Sequence, residues 1–142
     1  MRVMTEDEWR AFLLARPRTG KFGTTRAGGS PHVTPIWYDL DDDGTILFTT
    51  GGTGLKARSI RRDPRVALCV DEEAPPYDFV LIEGTATLSE DLDEMLVWAT
   101  RVGSRYMGPE RADEFGKRNA VPGEVLVRIT PTKVTALAGL AD

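Results

Sequence analysis

The 142-residue sequence holds a single cysteine, Cys69, and a single histidine, His32. One thiol excludes an internal disulfide framework and any cysteine-based zinc cluster. One imidazole excludes the common histidine metal triads and makes a Ser-His-Asp site a remote reading. Long apolar runs are missing too: runs such as Phe79–Ile82 fall far short of the ~20 residues that span a bilayer. No secretory pattern of basic, then apolar, then small residues opens the chain. These absences predict a cytoplasmic protein in a reducing compartment, with no membrane partner. Any excess of one charge over the other is also small, 18 basic residues against 22 acidic ones. A net charge of −4 gives no global pull toward nucleic acid or anionic lipid.

What is present is ordinary for a globular chain: 41% hydrophobic and 28% charged residues. The length, with no repeat, low-complexity tract or linker, fits one domain over residues 1–142. Thr5-Glu6-Asp7-Glu8 reads as a capping box ahead of a helix that carries Trp9, Phe12 and Leu13 and stops at Pro17. The period then changes from helical to alternating. Strands are predicted over Lys21–Arg26, His32–Leu40 and Thr45–Thr50, joined by turns at Ala27–Ser30 and Asp41–Gly44, as an antiparallel meander. A short basic helix, Leu55–Arg62, ends at Asp63-Pro64. Strands follow at Val66–Val70 and Asp78–Leu88. Ser89 is expected to cap a helix from Glu90 to Tyr106 with Leu92, Met95, Leu96 and Ala99 on its apolar face. A second helix runs from Pro109 to Arg118, and strands at Glu124–Thr130 and Lys133–Leu137 close the chain. Short strands joined mainly as hairpins predict a mainly β protein, a barrel with helices packed outside it.

The stretch Thr49-Thr50-Gly51-Gly52-Thr53-Gly54-Leu55-Lys56-Ala57-Arg58-Ser59 carries the strongest chemical signal. A strand ends in two hydroxyls, glycines free the backbone, and a helix begins with cations near its first turn. Unpaired helix amides and the partial positive charge there make an anion site. Lys56 and Arg58 lie two apart, so they converge on one ligand only from a frayed first turn. The same residues also suit a solvated basic helix. A P-loop is excluded because Lys56 lacks its Gly and Ser/Thr neighbours. Gly52-x-Gly54-x-x-Ala57, with Asp71 further on, matches a loose dinucleotide fingerprint, yet a two-turn helix among hairpins is the wrong setting for it.

Val33-Thr34-Pro35-Ile36-Trp37-Tyr38 is the second candidate. Pro35 cannot donate to a ladder, so the strand there is an edge or an interruption. Free backbone groups beside Trp37 suit a planar heterocycle; an edge strand with a core tryptophan is the plainer alternative. His32 reads as a surface strand residue, and Cys69 as a small inward residue alternating with Ala67. Asp41–Asp43 reads as a turn. Trp98, Arg105 and Tyr106 fall near the end of a helix, where core, interface and pocket wall are all open to them.

The order of elements, with Val33-Thr34-Pro35-Ile36-Trp37, then Leu55-Lys56-Ala57-Arg58-Ser59-Ile60-Arg61-Arg62-Asp63-Pro64-Arg65-Val66, and finally Val127-Arg128-Ile129-Thr130-Pro131-Thr132-Lys133-Val134, resembles the pyridoxamine-phosphate-oxidase-like split β-barrel superfamily. More narrowly, it resembles the flavin and deazaflavin oxidoreductases that use coenzyme F420 or FMN. The resemblance runs from about Thr5 to Leu137. It implies a six- to seven-stranded antiparallel split barrel with flanking helices, forming a homodimer with cofactor at the interface. It also implies that Lys56 and Arg58, helped by Thr49, Thr50 and Ser59, hold a cofactor phosphate. The backbone of Val33–Trp37 (Val33, Thr34, Pro35, Ile36, Trp37) then lies along the tricyclic ring, and Tyr77 and Phe79 cover that ring from the second subunit. No residue is assigned as a catalytic acid or base, and none as a metal ligand. The activity implied is hydride transfer from F420 to an enone, quinone or similar conjugated molecule. An FMN-dependent oxidoreductase and a flavin store or sensor with little turnover are the alternatives.

Overall fold

The capping box forms as the sequence predicts. In a computed structural model describing residues 1–142, Thr5 Oγ1 accepts the Glu8 N–H at 3.3 Å and the Glu8 carboxylate accepts the Thr5 N–H at 3.1 Å. A two-residue strand β1 (Arg2–Val3) precedes this first helix, α1 (Glu6–Ala15), which buries Trp9 and Leu13. Strands β2 (Gly20–Thr25) and β3 (Pro31–Ile36) follow as a hairpin, then β4 (Asp39–Leu40) and β5 (Ile46–Gly51) as another. The basic helix α2 (Leu55–Arg62) leads into β6 (Arg65–Asp71) and the long β7 (Phe79–Ser89). Helix α3 (Leu92–Met107), a single 3-10 turn at Pro109–Arg111 and helix α4 (Ala112–Asn119) form an α-hairpin before β8 (Glu124–Ala138).

All strand pairs are antiparallel, in the order β3-β2-β6-β7-β8-β5-β4, with β1 beside β8. The two ends of that order, β3 and β4, are consecutive in the chain and separated only by Trp37 and Tyr38. The sheet therefore curls on itself without sealing, which is the split-barrel form. Its interior is one apolar cluster that includes Phe22, Tyr38, Phe48, Leu68, Ile82 and Ile129. A second, smaller cluster of Leu47, Met95, Trp98 and Leu126 glues α3 to the outer face of β5 and β8. No helix is long and apolar enough to cross a membrane.

Several boundaries differ from expectation, each for a physical reason. The predicted strand His32–Leu40 is broken at Trp37-Tyr38, because the Tyr38 N–H donates to Tyr106 Oη at 3.3 Å and the Tyr38 carbonyl accepts from Arg105 at 2.6 Å. The backbone groups that would continue a ladder are thus spent on α3. The meander breaks at the same point, since β5 pairs with β8 rather than with β3. The two closing strands are one, carried past Pro131 by a bulge at Pro131–Thr132 opposite Glu83–Gly84, where a proline is tolerated. Asp91, not Ser89, caps α3, accepting from the amides of Asp93 and Glu94. Its buried face is Met95, Trp98, Ala99 and Val102, while Leu92 and Leu96 stay exposed, because α3 covers only a narrow strip of the sheet.

Two parities also invert. Val66, Leu68 and Val70 fill the interior, so Ala67 and Cys69 face outward. The run is apolar on both faces, and the larger branched side chains win the core. His32 is half-buried rather than fully exposed: it lies on the inward face of β3 with Thr34, and its Nδ1 is buried without a partner.

Candidate functional site

The curl of the sheet leaves two open edges facing each other. Pro35, Ile36 and Trp37 from the end of β3, Thr49, Thr50 and Gly51 from β5, and Lys56 from α2 line one cleft of about 370 Å³. Both edges are free there, because β3 pairs only with β2 and the end of β5 pairs only with β8.

The β3 edge has a specific chemistry. The Arg26 N–H donates to the Ser30 carbonyl at 2.9 Å, which fixes the alternation of hydrogen-bonded pairs down the β2–β3 ladder. Thr24–His32, Phe22–Thr34 and Gly20–Ile36 are then the bonded pairs, and Pro31, Val33 and Pro35 turn their backbone outward. Two of these three are prolines with no N–H. Val33 therefore supplies the one outward amide within the strand, flanked by outward carbonyls. Such an edge repels a further strand yet keeps one donor for a small molecule.

At the other side of the cleft, α2 begins at Gly54 with no side-chain cap, so its first-turn amides are open to an anion. Lys56 lines the cleft, half-buried and without a carboxylate partner. Of the five cations Lys56, Arg58, Arg61, Arg62 and Arg65, only Arg65 is neutralised, by Asp63 at 2.8 Å. Arg61 and Arg62 donate to the carbonyls of Gly52 (2.6 Å) and Thr25 (2.7 Å), so they are anchored but keep their charge.

The third wall is helical. The Trp37 ring stacks on Tyr106 with centroids 5.2 Å apart and planes within 4°, and Phe115 of α4 tilts against it at 5.9 Å. Tyr106 is fixed in turn, its hydroxyl donating to the Arg18 carbonyl at 2.7 Å while accepting from Tyr38. Burial raises the Tyr106 phenol above its ordinary pKa, so it remains the protonated donor. Behind this wall α3 and α4 pack closely through small residues: a Cβ on Gly103 would come within 2.7 Å of the Phe115 Cβ. Val102 and Asn119 from these helices complete the lining with Thr19 and Glu124.

Of the residues expected at a site, Pro35, Ile36, Trp37, Thr49, Thr50 and Lys56 come together in this cleft. Val33 lies on the same strand edge but does not line the cleft, its side chain lining a separate concavity with Gly23, Ala67 and Glu83, and Thr34 points inward with its hydroxyl buried and unpaired. Arg58 is exposed and does not line the cleft, as its two-residue offset from Lys56 on a helix requires. Ser59 is fully buried, its Oγ without a partner. Tyr77 and Phe79 lie elsewhere, lining a separate apolar concavity of about 690 Å³ with Cys69 and Leu140. Sequence reading missed Thr19, Val102, Asn119 and Glu124, which lie in elements far apart in the chain and share no local motif.

A family model described as pyridoxamine 5'-phosphate oxidase matches residues 5–138. The chain is 31% identical over 104 residues to a 5a,11a-dehydrotetracycline/5a,11a-dehydrooxytetracycline reductase of Streptomyces rimosus. That match covers 68% of this chain, which thus spans only 65% of the reductase. A conserved hypothetical protein of Mycobacterium tuberculosis superposes with a TM-score of 0.86 at 30% identity, covering 96% of this chain and 86% of the other. An F420 reductase has the same fold, with a TM-score of 0.69 at 24% identity over 88% of this chain and 94% of that one.

Proposed function

The chain belongs to the pyridoxamine 5'-phosphate oxidase family, and from that premise we propose that it is an F420-dependent reductase of electron-poor conjugated small molecules such as enones or quinones. The observation that carries this reading is the unpaired Lys56 beside an uncapped helix start, in the same cleft as the open edge of β3. A phosphate and a planar ring need those two features side by side, and the residues present fit such a group. The reductase name of the Streptomyces relative supports an oxidoreductase, and the charges of Arg58, Arg61 and Arg62 on α2, outside the cleft that Lys56 lines, support a ligand whose anionic tail runs on beyond its phosphate.

When bound, the deazaflavin supplies the hydride chemistry. The chain's own residues do the rest. Lys56 and the first-turn amides of α2 hold the phosphate, with Thr50, which continues the inward row of Phe48, beside it. The Val33 N–H and the neighbouring carbonyls align the ring edge. Ile36 and Trp37 exclude water from one end of the cleft. No side chain is assigned a proton-transfer role. We further propose that the protein works as a homodimer, in which Tyr77 and Phe79 of one subunit reach the cofactor site of the other.

A second reading, an FMN-dependent oxidoreductase, is favoured by one observation: only Lys56 among the cations lines the cleft, a compact site that suits a ligand ending at its phosphate. Titration of the protein with F420 and FMN in parallel, at low and moderate salt, tests the choice. F420 is expected to bind more tightly and to lose more affinity as salt rises, because more ion pairs are screened. FMN binding at least as tightly would hand the assignment to the second reading. Binding of neither, or light scattering that gives a monomer at micromolar concentration, would overturn the cofactor reading or the dimer respectively.

A further inference from the structure

The cleft contains two unpaired charges of opposite sign, Lys56 and Glu124, and they do not form an ion pair with each other. They belong to different walls. Along β8, Glu124 continues the row of Leu126 and Arg128, which faces α3: Leu126 packs with Met95 and Trp98, and Arg128 bonds Glu94 at 3.2 Å. Glu124 sits opposite Gly51 in the β5–β8 ladder, and glycine offers no side chain to engage or cover its carboxylate. Asn119 and Trp37 stand on the same helical side, and Trp37 is held in place by its stack on Tyr106. Ile36 points the opposite way, into the barrel core, so the turn of the chain after it divides the cleft into a barrel-side wall and a helix-side wall.

We propose that the helix-side wall selects the molecule to be reduced: Trp37 gives a flat stacking face, and the acceptor-only carboxylate of Glu124, beside Asn119, favours conjugated acceptors that carry a cationic or hydroxyl donor group and disfavours anionic ones. This rests on the reductase reading above, because it assigns the barrel side and α2 to the cofactor and leaves the helical side for the second reactant. A free carboxylate in a partly enclosed cleft interacts with charge more strongly than it would in bulk water. The stacking face adds affinity for any planar ring, whatever its charge. Charge preference and ring preference are therefore separable.

The test uses three naphthoquinones that share one ring system: one neutral, one bearing a sulfonate and one bearing a trimethylammonium group. Their binding to the oxidised, cofactor-loaded protein is read by equilibrium dialysis, and their reduction from kcat/KM. Wild type is expected to prefer the cationic quinone over the anionic one, and Glu124→Gln to shrink that preference by about tenfold. Trp37→Phe is expected to weaken all three alike, in binding and in kcat/KM. The cofactor dissociation constant of Glu124→Gln, measured separately, is expected to stay within about threefold of wild type because the phosphate is held at the other wall. An unchanged charge preference in Glu124→Gln overturns the inference, as does a collapse of its cofactor affinity, which would move Glu124 to the cofactor side. Failure of wild type to bind either F420 or FMN sinks the reductase reading instead. In that case binding of the same quinones to the free protein, preferring the cation and depending on Glu124, still upholds the selectivity of this wall, and its absence overturns it.

Discussion

Trp37 and Tyr106 lie face to face with their ring planes 4° apart, joining the corner between β3 and β4 to the last turn of α3. One hydroxyl makes this joint specific, since Tyr106 Oη takes the Tyr38 amide and serves the Arg18 carbonyl at once. The corner that opens the sheet is thus held by a residue almost seventy positions away.

Separating the ring from the hydroxyl tests that joint. Tyr106→Phe keeps the stack but leaves a buried amide and a carbonyl unpaired, so it is expected to cost about 1–3 kcal/mol in urea unfolding. Tyr106→Ala loses the stack as well, costs more, and shifts the tryptophan emission to longer wavelength as water reaches Trp37, a shift that disappears in a Trp37→Phe background. Equal stability of wild type and Tyr106→Phe would show that the hydroxyl bonds contribute nothing.

Lys56→Ala is expected to remove a charge-assisted contact to the cofactor phosphate worth about 1.5–3 kcal/mol, weakening cofactor affinity roughly 10- to 150-fold. The fold should be unaffected, because the Lys56 amine has no partner within the protein to lose. Calorimetric titration with an unchanged dissociation constant would move the phosphate site elsewhere.

The β3 edge permits a substitution aimed at a single backbone hydrogen. Val33→Pro removes the one outward amide while leaving the bonded side of the ladder intact, as Pro31 and Pro35 already do on either side. Val33 is 62% exposed, so little packing is lost. The melting temperature is expected to change little, while cofactor affinity falls roughly 2- to 12-fold, the range of one neutral hydrogen bond. A fold that survives with full affinity would exclude the Val33 amide as a ring contact.

Acid sensitivity should concentrate where the loop before β7 is tied down. Arg18, bonded to Glu72 at 2.8 Å and aided by the Ala74 amide and Arg16, holds the Glu72 carboxyl down at about 2, against an ordinary value of 4.5. A carboxylate whose pKa is lower in the folded state stabilises fully above its unfolded value and loses that contribution as pH falls toward the folded one. The urea midpoint of wild type is therefore expected to fall between pH 4.5 and pH 2, and Glu72→Gln to flatten part of that fall. Glu8 and Asp63, also held at about 2 by Arg2 and Arg65, account for some of the remainder. Identical pH profiles for wild type and variant would refute the assignment to Glu72.

The sequence determined by itself whatever rests on local chemistry. The Thr5–Glu8 box, the turns at Gly29 and Gly44 with their positive φ, and the uncapped start of α2 follow from neighbours within a few residues. Pro35 announced an edge because a missing N–H cannot be supplied from anywhere else in the chain. Only the tertiary structure decided which edge faces which. Alternation in Val66–Val70 satisfies either parity, and the volume available inside the barrel chose Val66, Leu68 and Val70 over Ala67 and Cys69. The break at Trp37-Tyr38 required partners on α3 that no pattern near position 38 reveals. The cleft follows the same rule. Its Lys56 end is written in one continuous stretch, whereas its helix-side wall assembles Trp37, Val102, Asn119 and Glu124 from separate elements that meet only when the sheet curls and the α-hairpin packs against it. Backbone hydrogen bonding and short-range sterics act within a turn or two of chain, but a cleft is bounded by surfaces that come together only through long-range packing.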